Sequence, residues 1–122
     1  MTSAAPEGWH CVTPRIFVRD PQMMVDFLKH TFGATGECQQ SRPSEIRIGD
    51  SIVMVSGVEF RGPMPAFLYV YVDDVDATYH SAIAAGAESL EAPQVVPYGD
   101  RRCMVQDAWQ NVWQIATRKQ LL

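Results

Sequence analysis

Aromatic and charged side chains alternate with aliphatic ones in several short segments of the sequence. Because successive side chains of a β-strand point to opposite faces, this alternation predicts two chemically different faces. The aliphatic face would carry Ile16, Val18, Ile46, Ile48, Ile52, Met54, Leu68, Val70, Val72 and Ile115. The opposite face would carry Arg15, Phe17, Glu45, Arg47, Val53, Val55, Phe67, Tyr69, Tyr71 and Gln114. Charges buried without partners cost several kcal/mol, so we expect the second face to line a cleft rather than a core.

Two interpretations of the cleft-lining face are open. In the first, Phe17, Tyr69 and Tyr71 stack on a flat ligand, while Arg15 or Arg47 binds an anionic or carbonyl group of that ligand. In the second, the charged residues form a solvated ion-pair patch and the tyrosines only fill the interior of the sheet. The first interpretation predicts a binding site, and the second predicts a surface without a ligand.

The histidines and cysteines do not suggest a further site. His10 precedes the first predicted strand, and His30 and His80 lie on predicted helices among polar neighbours. We expect surface or structural roles for all three. The spacing indicates no Ser-His-Asp or Cys-His arrangement, so no catalytic residue is predicted. Cys103 is expected to be inert, because a reactive thiol needs exposure and a lowered pKa.

Composition and charge limit the class of protein. The chain has 122 residues, which fits one domain, and its net charge of -4 with a pI of about 5.2 argues against nucleic acid as a partner. The pair Arg101-Arg102 is expected to be solvated surface. No apolar run reaches the ~20 residues that span a membrane, and the start lacks a signal-peptide pattern. Three cysteines without a Cys-x-x-Cys pattern predict a reducing, cytoplasmic compartment.

The first half of the sequence predicts a strand, a helix and three further strands. Asp20 followed by Pro21 is typical of an N-cap and first helical residue, and helical spacing continues to Gly33, which can end the helix. The pair Gly49-Asp50 predicts a hairpin turn. We expect the strands at residues 11–18, 35–40, 45–48 and 51–56.

The same order of elements returns after a connector at about residues 58–65. Asp74 begins a second helix that runs through Ala85 and ends at Gly86, and strands are expected at residues 66–72, 88–96, 102–106 and 112–116. The matching strings are Val18-Arg19-Asp20 with Val72-Asp73-Asp74, Phe32-Gly33-Ala34 with Ala85-Gly86-Ala87, and Ile52-Val53-Met54 with Trp113-Gln114-Ile115. This internal repeat predicts two modules that must pair within the chain or across a dimer, because neither can bury its own sheet face.

Seven strings in order carry a resemblance that extends over residues 12–117: Val12-Thr13-Pro14 through Val18-Arg19-Asp20, Phe27-Leu28 with Phe32-Gly33-Ala34, Glu45-Ile46-Arg47-Ile48-Gly49-Asp50-Ser51, Tyr71-Val72-Asp73-Asp74-Val75-Asp76, Ala84-Ala85-Gly86-Ala87, Tyr98-Gly99-Asp100-Arg101, and Val112-Trp113-Gln114-Ile115-Ala116-Thr117. On these strings the chain resembles the vicinal-oxygen-chelate superfamily of glyoxalases, bleomycin-resistance proteins and dioxygenases, and especially its PhnB-like and glyoxalase-like members.

The resemblance implies an α+β fold in which two βαβββ modules form an open, barrel-like curved sheet with helices on the convex face. The concave face would be the ligand cleft. Residues 1–122 would form a single domain, with module one at about residues 9–57, a linker at about residues 58–65 and module two at about residues 66–118. The resemblance also implies a homodimer, in which each cleft is built from one module of each chain.

Metal ligands are where this sequence departs from the resemblance. Catalytic members of the superfamily hold a divalent metal at positions that fall near Thr13, Val53, Tyr69 and Gln114 of this chain. Only Gln114 could donate an ordinary ligand atom, and one neutral oxygen does not hold a divalent cation in water. We therefore expect no metal and no cofactor.

A turn also departs from the family pattern. Relatives commonly have Asp-Pro-aromatic-Gly where this chain has Asp107-Ala108-Trp109-Gln110. Trp109 in this turn either covers the mouth of the cleft or packs against the protein. Trp113 is expected to be part of the core.

Three functions are compatible with this pattern. The first is a metal-independent protein of the bleomycin-resistance type, which sequesters a hydrophobic or aromatic small molecule, such as an antibiotic, in a cleft at the dimer interface. The alternative is a metal-dependent lyase, isomerase or dioxygenase of the glyoxalase superfamily, or a metal-free enzyme that uses Glu45 as a general base. The third is a protein-interaction module with an empty cleft.

Overall fold

The chain divides into two units in the computed structural model, which describes residues 4–59, 61–97 and 99–118. The first unit comprises the chain up to Lys29 together with Gly33–Met64. The second unit comprises His30–Phe32 and the chain from Pro65 onward. The division at Met64 and Pro65 falls at the end of the predicted connector, while the assignment of one domain with two modules stays a prediction.

The first unit contains strand β1 (Arg15–Phe17), strand β2 (Ser44–Ile48) and strand β3 (Ser51–Ser56), in the sheet order β1-β3-β2. β1 runs parallel to β3, and β2 pairs antiparallel with β3. Helix α1 (Pro21–Phe32) follows β1 in the chain. The hairpin between β2 and β3 turns at Gly49, whose φ of 57° is the positive value that such a two-residue loop requires, so the predicted turn is confirmed.

Helix α1 begins and ends where the local sequence predicts. The side chain of Asp20 accepts a hydrogen bond of 3.1 Å from the backbone N–H of Met23, and Pro21 is the first helical residue. Gly33 adopts the left-handed conformation and donates its N–H to the carbonyl of Lys29 at 3.0 Å. One face of the helix is buried through Met24, Val25, Phe27 and Leu28.

Two predicted strands of the first unit are shorter than expected. The first strand covers Arg15–Phe17 rather than residues 11–18. The strand predicted at residues 35–40 is reduced to an isolated bridge between Thr35 and Arg47. Gly36 follows this bridge with a φ of 123° and passes so close to Glu45 that a Cβ would lie 2.5 Å from its carbonyl oxygen. The extended run therefore ends after one residue pair.

The second unit contains strand β4 (Phe67–Tyr71), helix α2 (Val75–Ala84), and strands β5 (Glu88–Val95), β6 (Arg101–Gln106) and β7 (Val112–Thr117). The sheet order is β4-β7-β6-β5, with β4 parallel to β7 and the other pairs antiparallel. Helix α2 contacts β5, β6 and β7. Both sheets are mixed and open, and each has its first and last strands paired in parallel, so the predicted α+β fold with an internal repeat is confirmed.

The arginine pair at the start of β6 is solvated only in part, because Arg101 is exposed as the sequence suggested and Arg102 is not. Arg101 donates two hydrogen bonds, of 2.8 and 2.9 Å, to the carboxylate of Asp76 on α2. Arg102 donates to Glu91 on β5 at 3.2 Å, and its side chain is only 17 % exposed. Adjacent strand residues point to opposite faces, so the two arginines stabilise different sides of the sheet.

The facing predicted for β3 is wrong by one residue. Val53 lies opposite Ile46, which is fully buried, and Val55 lies opposite Ile16. Val53 and Val55 therefore belong to the aliphatic face, whereas Ile52 and Met54 share the face of the charged residues. The segment is apolar on both faces, so its sequence does not distinguish the two registers.

The turn between β6 and β7 keeps its shape through a buried carboxylate. Asp107 is 3 % exposed and accepts hydrogen bonds from the backbone N–H groups of Trp109 and Asn111, at 2.9 and 3.0 Å, and from the indole N–H of Trp113 at 2.9 Å. Asn111 in turn accepts from the backbone N–H of Ala66 at 2.9 Å. Trp113 is fully buried, as predicted.

Gln110 closes this turn in a conformation that favours glycine. Its φ of 74° is the only positive value at a non-glycine residue within the described ranges. Non-glycine residues in the left-handed region cost about 1–2 kcal/mol, and glycine avoids that cost. This chain therefore has glutamine at a backbone position that suits the glycine common in relatives.

We expect Gln110→Gly to raise the free energy of unfolding by about 1 kcal/mol, because relief of the strained φ exceeds the added entropy of the unfolded chain. Urea denaturation measures this change. Ala108→Gly in the same turn is the matched control and should be destabilising, since Ala108 has no positive φ to relieve. An equal loss of stability in both variants would contradict the prediction.

Candidate functional site

Strand β4 presents an aromatic surface in the second unit. Phe67, Tyr69 and Tyr71 lie at alternate positions of the strand and are 63 %, 37 % and 60 % exposed. The two tyrosine rings are tilted by 55° with their centroids 5.3 Å apart. Gln114 on the neighbouring strand β7 lies in register with Tyr69. We call these four residues the tyrosine surface, and the structure brings them together as the sequence predicted.

A buried carboxylate holds both tyrosine hydroxyl groups. Asp100 is 6 % exposed, and its Oδ2 accepts hydrogen bonds from Tyr69 at 2.7 Å and from Tyr71 at 2.9 Å. The loop before β6 positions this residue: Gly99 has a φ of 100°, and the carbonyl of Asp100 accepts from the N–H of Val96 at 2.8 Å. Both rings are therefore held at their outer ends as well as at the strand.

Asp100 was missed as a site residue from sequence alone. It entered the prediction only within the string Tyr98-Gly99-Asp100-Arg101, of which Tyr98 lies outside the described residues. An acidic residue directly between a glycine and a predicted strand was the available signal. It is a weak signal, because most such residues are solvated loop positions.

The hydrogen bonds to Asp100 change the acidity of the surface. The hydrogen bond that Tyr71 donates to Asp100, with burial and the nearby negative charge, raises the pKa of Tyr71 above its usual 10.0. Tyr71 is therefore a neutral phenol at physiological pH and cannot act as a base there. The surface offers aromatic faces and fixed hydroxyls rather than a reactive phenolate.

The face that carries Tyr69 and Gln114 continues across β6 and β5. Met104 follows Gln114 in register on β6, and Glu91 follows Met104 on β5. A hydrogen bond from Gln94, and then the Arg102 guanidinium, lower the pKa of Glu91, so its carboxylate is charged at neutral pH. The β6 and β5 part of this face thus carries an ion pair, which β7 separates from the aromatic strand β4.

Trp109 lies at the Phe67 end of the tyrosine surface. The turn that holds it leads into Val112, which pairs with Phe67. Trp109 is half-buried, and its backbone N–H donates to Asp107. Whether it covers a ligand stays a prediction.

In the first unit, Arg15 and Phe17 are brought together. The guanidinium carbon of Arg15 lies 5.0 Å from the centroid of the Phe17 ring, and its Nε donates to the Ser56 hydroxyl at 3.0 Å. Glu45 lies 3.8 Å from Arg42, and Arg47 donates to the carbonyl of Gly8 at 3.4 Å.

The ion-pair patch that we considered for Arg15, Glu45 and Arg47 does not form. Within the described residues, none of the three pairs with another. Each charged side chain instead has another partner, so the ion-pair patch of the second interpretation is wrong, whereas the ligand of the first interpretation stays a prediction.

The expected metal positions do not provide a ligand set within either unit. Tyr69 and Gln114 are neighbours, but Thr13 precedes β1 and Val53 is buried on the aliphatic face. In the corrected register the counterparts of Tyr69 and Gln114 are Arg15 and Met54, which pair on the parallel strands of the first unit. A guanidinium, a thioether, a phenol and an amide do not fit a divalent metal.

The remaining metal-binding or nucleophilic side chains do not supply another site. Among residues 4–59, 61–97 and 99–118, no three His, Cys, Asp or Glu side chains come together in a metal-binding group. His10 is exposed beside Asp50, where a ring nitrogen lies 2.8 Å from the backbone carbonyl. Burial raises the pKa of the Cys103 thiol to about 11, which agrees with its expected inertness.

A family model described as the Glyoxalase/Bleomycin resistance protein/Dioxygenase superfamily matches residues 10–115. The chain belongs to this superfamily. The predicted resemblance is thereby confirmed. A search of curated proteins gave no match. Neither helix of the described residues has the length and apolar character needed to traverse a lipid bilayer.

Several solved structures share the fold of this chain. TioX from Micromonospora sp. ML1 is 26 % identical with a TM-score of 0.77, covering 88 % of this chain and 97 % of its own. A glyoxalase/bleomycin resistance protein/dioxygenase family enzyme from Burkholderia phytofirmans PsJN is 24 % identical with a TM-score of 0.74. The match covers 86 % of this chain and 95 % of the enzyme. TnmS3, an antibiotic binding protein from Streptomyces sp. CB03234, is 21 % identical with a TM-score of 0.75. The match covers 97 % of this chain and 100 % of TnmS3.

The alkaline titration of Tyr71 tests the role of Asp100. Because the native pKa is raised above 10.0, this phenol stabilises the fold fully below about pH 10, and the contribution is lost as the pH rises through the native pKa. Asp100→Asn keeps an oxygen acceptor but removes the charge. We expect the phenolate absorbance of Tyr71, assigned with Tyr71→Phe, to appear at lower pH in Asp100→Asn than in the wild type.

Glu88→Gln, which removes an exposed carboxylate of β5, serves as the charge-matched control and should leave the titration unchanged. If Asp100→Asn and Glu88→Gln both titrate like the wild type, Asp100 does not govern the tyrosine surface.

Proposed function

We propose that this protein is a metal-independent binding protein that sequesters an aromatic or hydrophobic small molecule, such as an antibiotic, on its tyrosine surface. The single observation that carries the proposal is the pair of hydrogen bonds from Tyr69 and Tyr71 to buried Asp100. Exposed tyrosine rings normally lose rotamer freedom when a ligand stacks on them. Here that freedom is already restricted in the free protein.

The chemistry of the surface favours contact with a flat organic molecule. Three aromatic side chains at alternate positions of one strand form a strip along β4, and each aromatic contact contributes about 0.5–1.5 kcal/mol beyond burial. The amide of Gln114 beside Tyr69 supplies a donor and an acceptor for orientation. These groups bind without forming or breaking bonds.

The superfamily contains both enzymes and binding proteins. The side chains at the expected metal positions favour a binding protein. The described residues at the expected metal positions do not fit a divalent cation, so the Lewis-acid chemistry of the enzymes has no ligand set here. Glu45 is exposed and lies beside Arg42, which gives no support for its use as a general base. TnmS3, which has the same fold, is an antibiotic binding protein.

We further propose that the protein acts as a cytoplasmic homodimer. The exposed aromatic residues of β4 would then be covered in part by a second copy, which would complete the cleft around a ligand. The three cysteines are free, as a reducing compartment requires.

Binding of metal-free bleomycin and of a panel of planar aromatic natural products, measured by thermal shift and calorimetry in the presence of EDTA, tests the proposal. We expect at least one of these probes to raise the melting temperature of the wild type. Tyr69→Ala and Tyr71→Ala should each weaken its affinity about tenfold or more, because each removes a stacked ring from the site.

Tyr79→Ala is the matched control, since Tyr79 is a half-buried tyrosine on α2 whose hydroxyl donates to Ser89 instead of Asp100. It should leave affinity unchanged. The proposal is wrong if no probe binds, if binding requires an added divalent metal, or if the two surface variants bind as tightly as Tyr79→Ala.

A further inference from the structure

The first unit contains a cavity of about 740 Å³ that the tyrosine surface does not include. Its wall comes from β1, from the end of β3 and from the segment between α1 and β2. The lining residues on which the argument depends are Arg15, Arg42, Pro43, Val55, Ser56 and Glu59. This volume lies in the range of pockets that hold drug-sized organic molecules.

Arg15 presents a positive charge to this cavity in an orientation that two contacts define. Its Nε donates to the hydroxyl of Ser56, which is 6 % exposed, and the ring of Phe17 lies against the guanidinium. Within the described part of the chain, no carboxylate lies within 4.0 Å of Arg15. Both of its partners are neutral, so the charge is oriented but not compensated.

The other charges at the cavity limit the kind of anion that fits. Arg42 lies 3.8 Å from Glu45, which offsets its charge. The carboxylate of Glu59 lies over Gly57, where a Cβ would be 2.5 Å from its oxygens. Glu59 forms no ion pair within the described residues. Glu59 repels a dianion such as phosphate more strongly than a monocarboxylate. The single charge of a carboxylate can be neutralised by one guanidinium.

We propose that this cavity binds an organic carboxylate, with the two terminal NH₂ groups of Arg15 donating to the two carboxylate oxygens. Ser56 occupies Nε and so leaves the outer edge of the guanidinium for this fork-like contact. The apolar part of the ligand contacts Pro43 in the cavity wall. Every residue in this inference belongs to the first unit, so it uses none of the four residues of the tyrosine surface.

A pair of probes that differ only in charge tests the site. We expect 4-phenylbutyrate to bind saturably, and its uncharged amide, 4-phenylbutyramide, to bind about tenfold more weakly or not at all. Calorimetry gives the affinities, and the side-chain Nε–H signal of Arg15 in an NMR spectrum locates the contact. This signal should shift with 4-phenylbutyrate and not with the amide.

Variants of opposite expected effect make the test specific. Arg15→Gln should abolish the preference for the carboxylate, and Arg15→Lys, which keeps the charge but not the fork, should retain only part of it. Glu59→Gln should strengthen carboxylate binding several-fold, because it removes a like charge from the cavity. Arg19→Gln, an exposed arginine outside the cavity, is the charge-matched control and should have no effect.

Three results would overturn the proposal: no saturable binding of 4-phenylbutyrate at millimolar concentration, equal affinity for the carboxylate and the amide, or equal effects of Arg15→Gln and Arg19→Gln. Inorganic phosphate binding more tightly than 4-phenylbutyrate would also overturn it. None of these results depends on Tyr69 or Tyr71, so a failure here is distinguishable from a failure of the proposed function.

Discussion

The candidate sites of both units depend on the parallel pairing of the first and last strands of each sheet. Arg15 lies opposite Met54 in the first unit, and Tyr69 lies opposite Gln114 in the second. Because side chains alternate along each strand, one residue pair determines the facing of every other residue on both strands. A shift by one residue would turn the arginine or the tyrosines toward the core and expose aliphatic side chains in their place.

A buried carboxylate then converts an exposed strand into an oriented surface. Asp100 comes from the loop before β6, whereas Tyr69 and Tyr71 come from β4, so two hydrogen bonds join segments that are distant in the sequence. Without this contact, ordering the rings against a ligand would cost side-chain entropy. The groups on the surface are phenol, amide and aromatic ring, which suit contact with an organic molecule better than coordination of a divalent metal.

The two units hold their charges in different ways. In the second unit, Arg101 and Arg102 are each compensated by a carboxylate, and these pairs connect β6 to α2 and to β5. In the first unit, Arg15 and Arg47 have neutral partners, a hydroxyl and an aromatic ring for the former and a backbone carbonyl for the latter. The first unit therefore keeps an uncompensated cation beside a cavity, and the second keeps a buried acidic side chain that binds two tyrosine hydroxyls.

The sequence by itself determined the helices, the hairpin, the repeat and the family, because caps and turns such as Asp20 and Gly33 act over a few residues. It also determined which residues share a face within β1, β2, β4 and β7, where polar and apolar residues alternate. It did not determine the facing of β3, which is apolar on both sides, and only the pairing of Val53 with Ile46 decided it. Only the tertiary structure placed Asp100 at the tyrosine hydroxyls, because that contact joins residues about thirty positions apart and has no local signal.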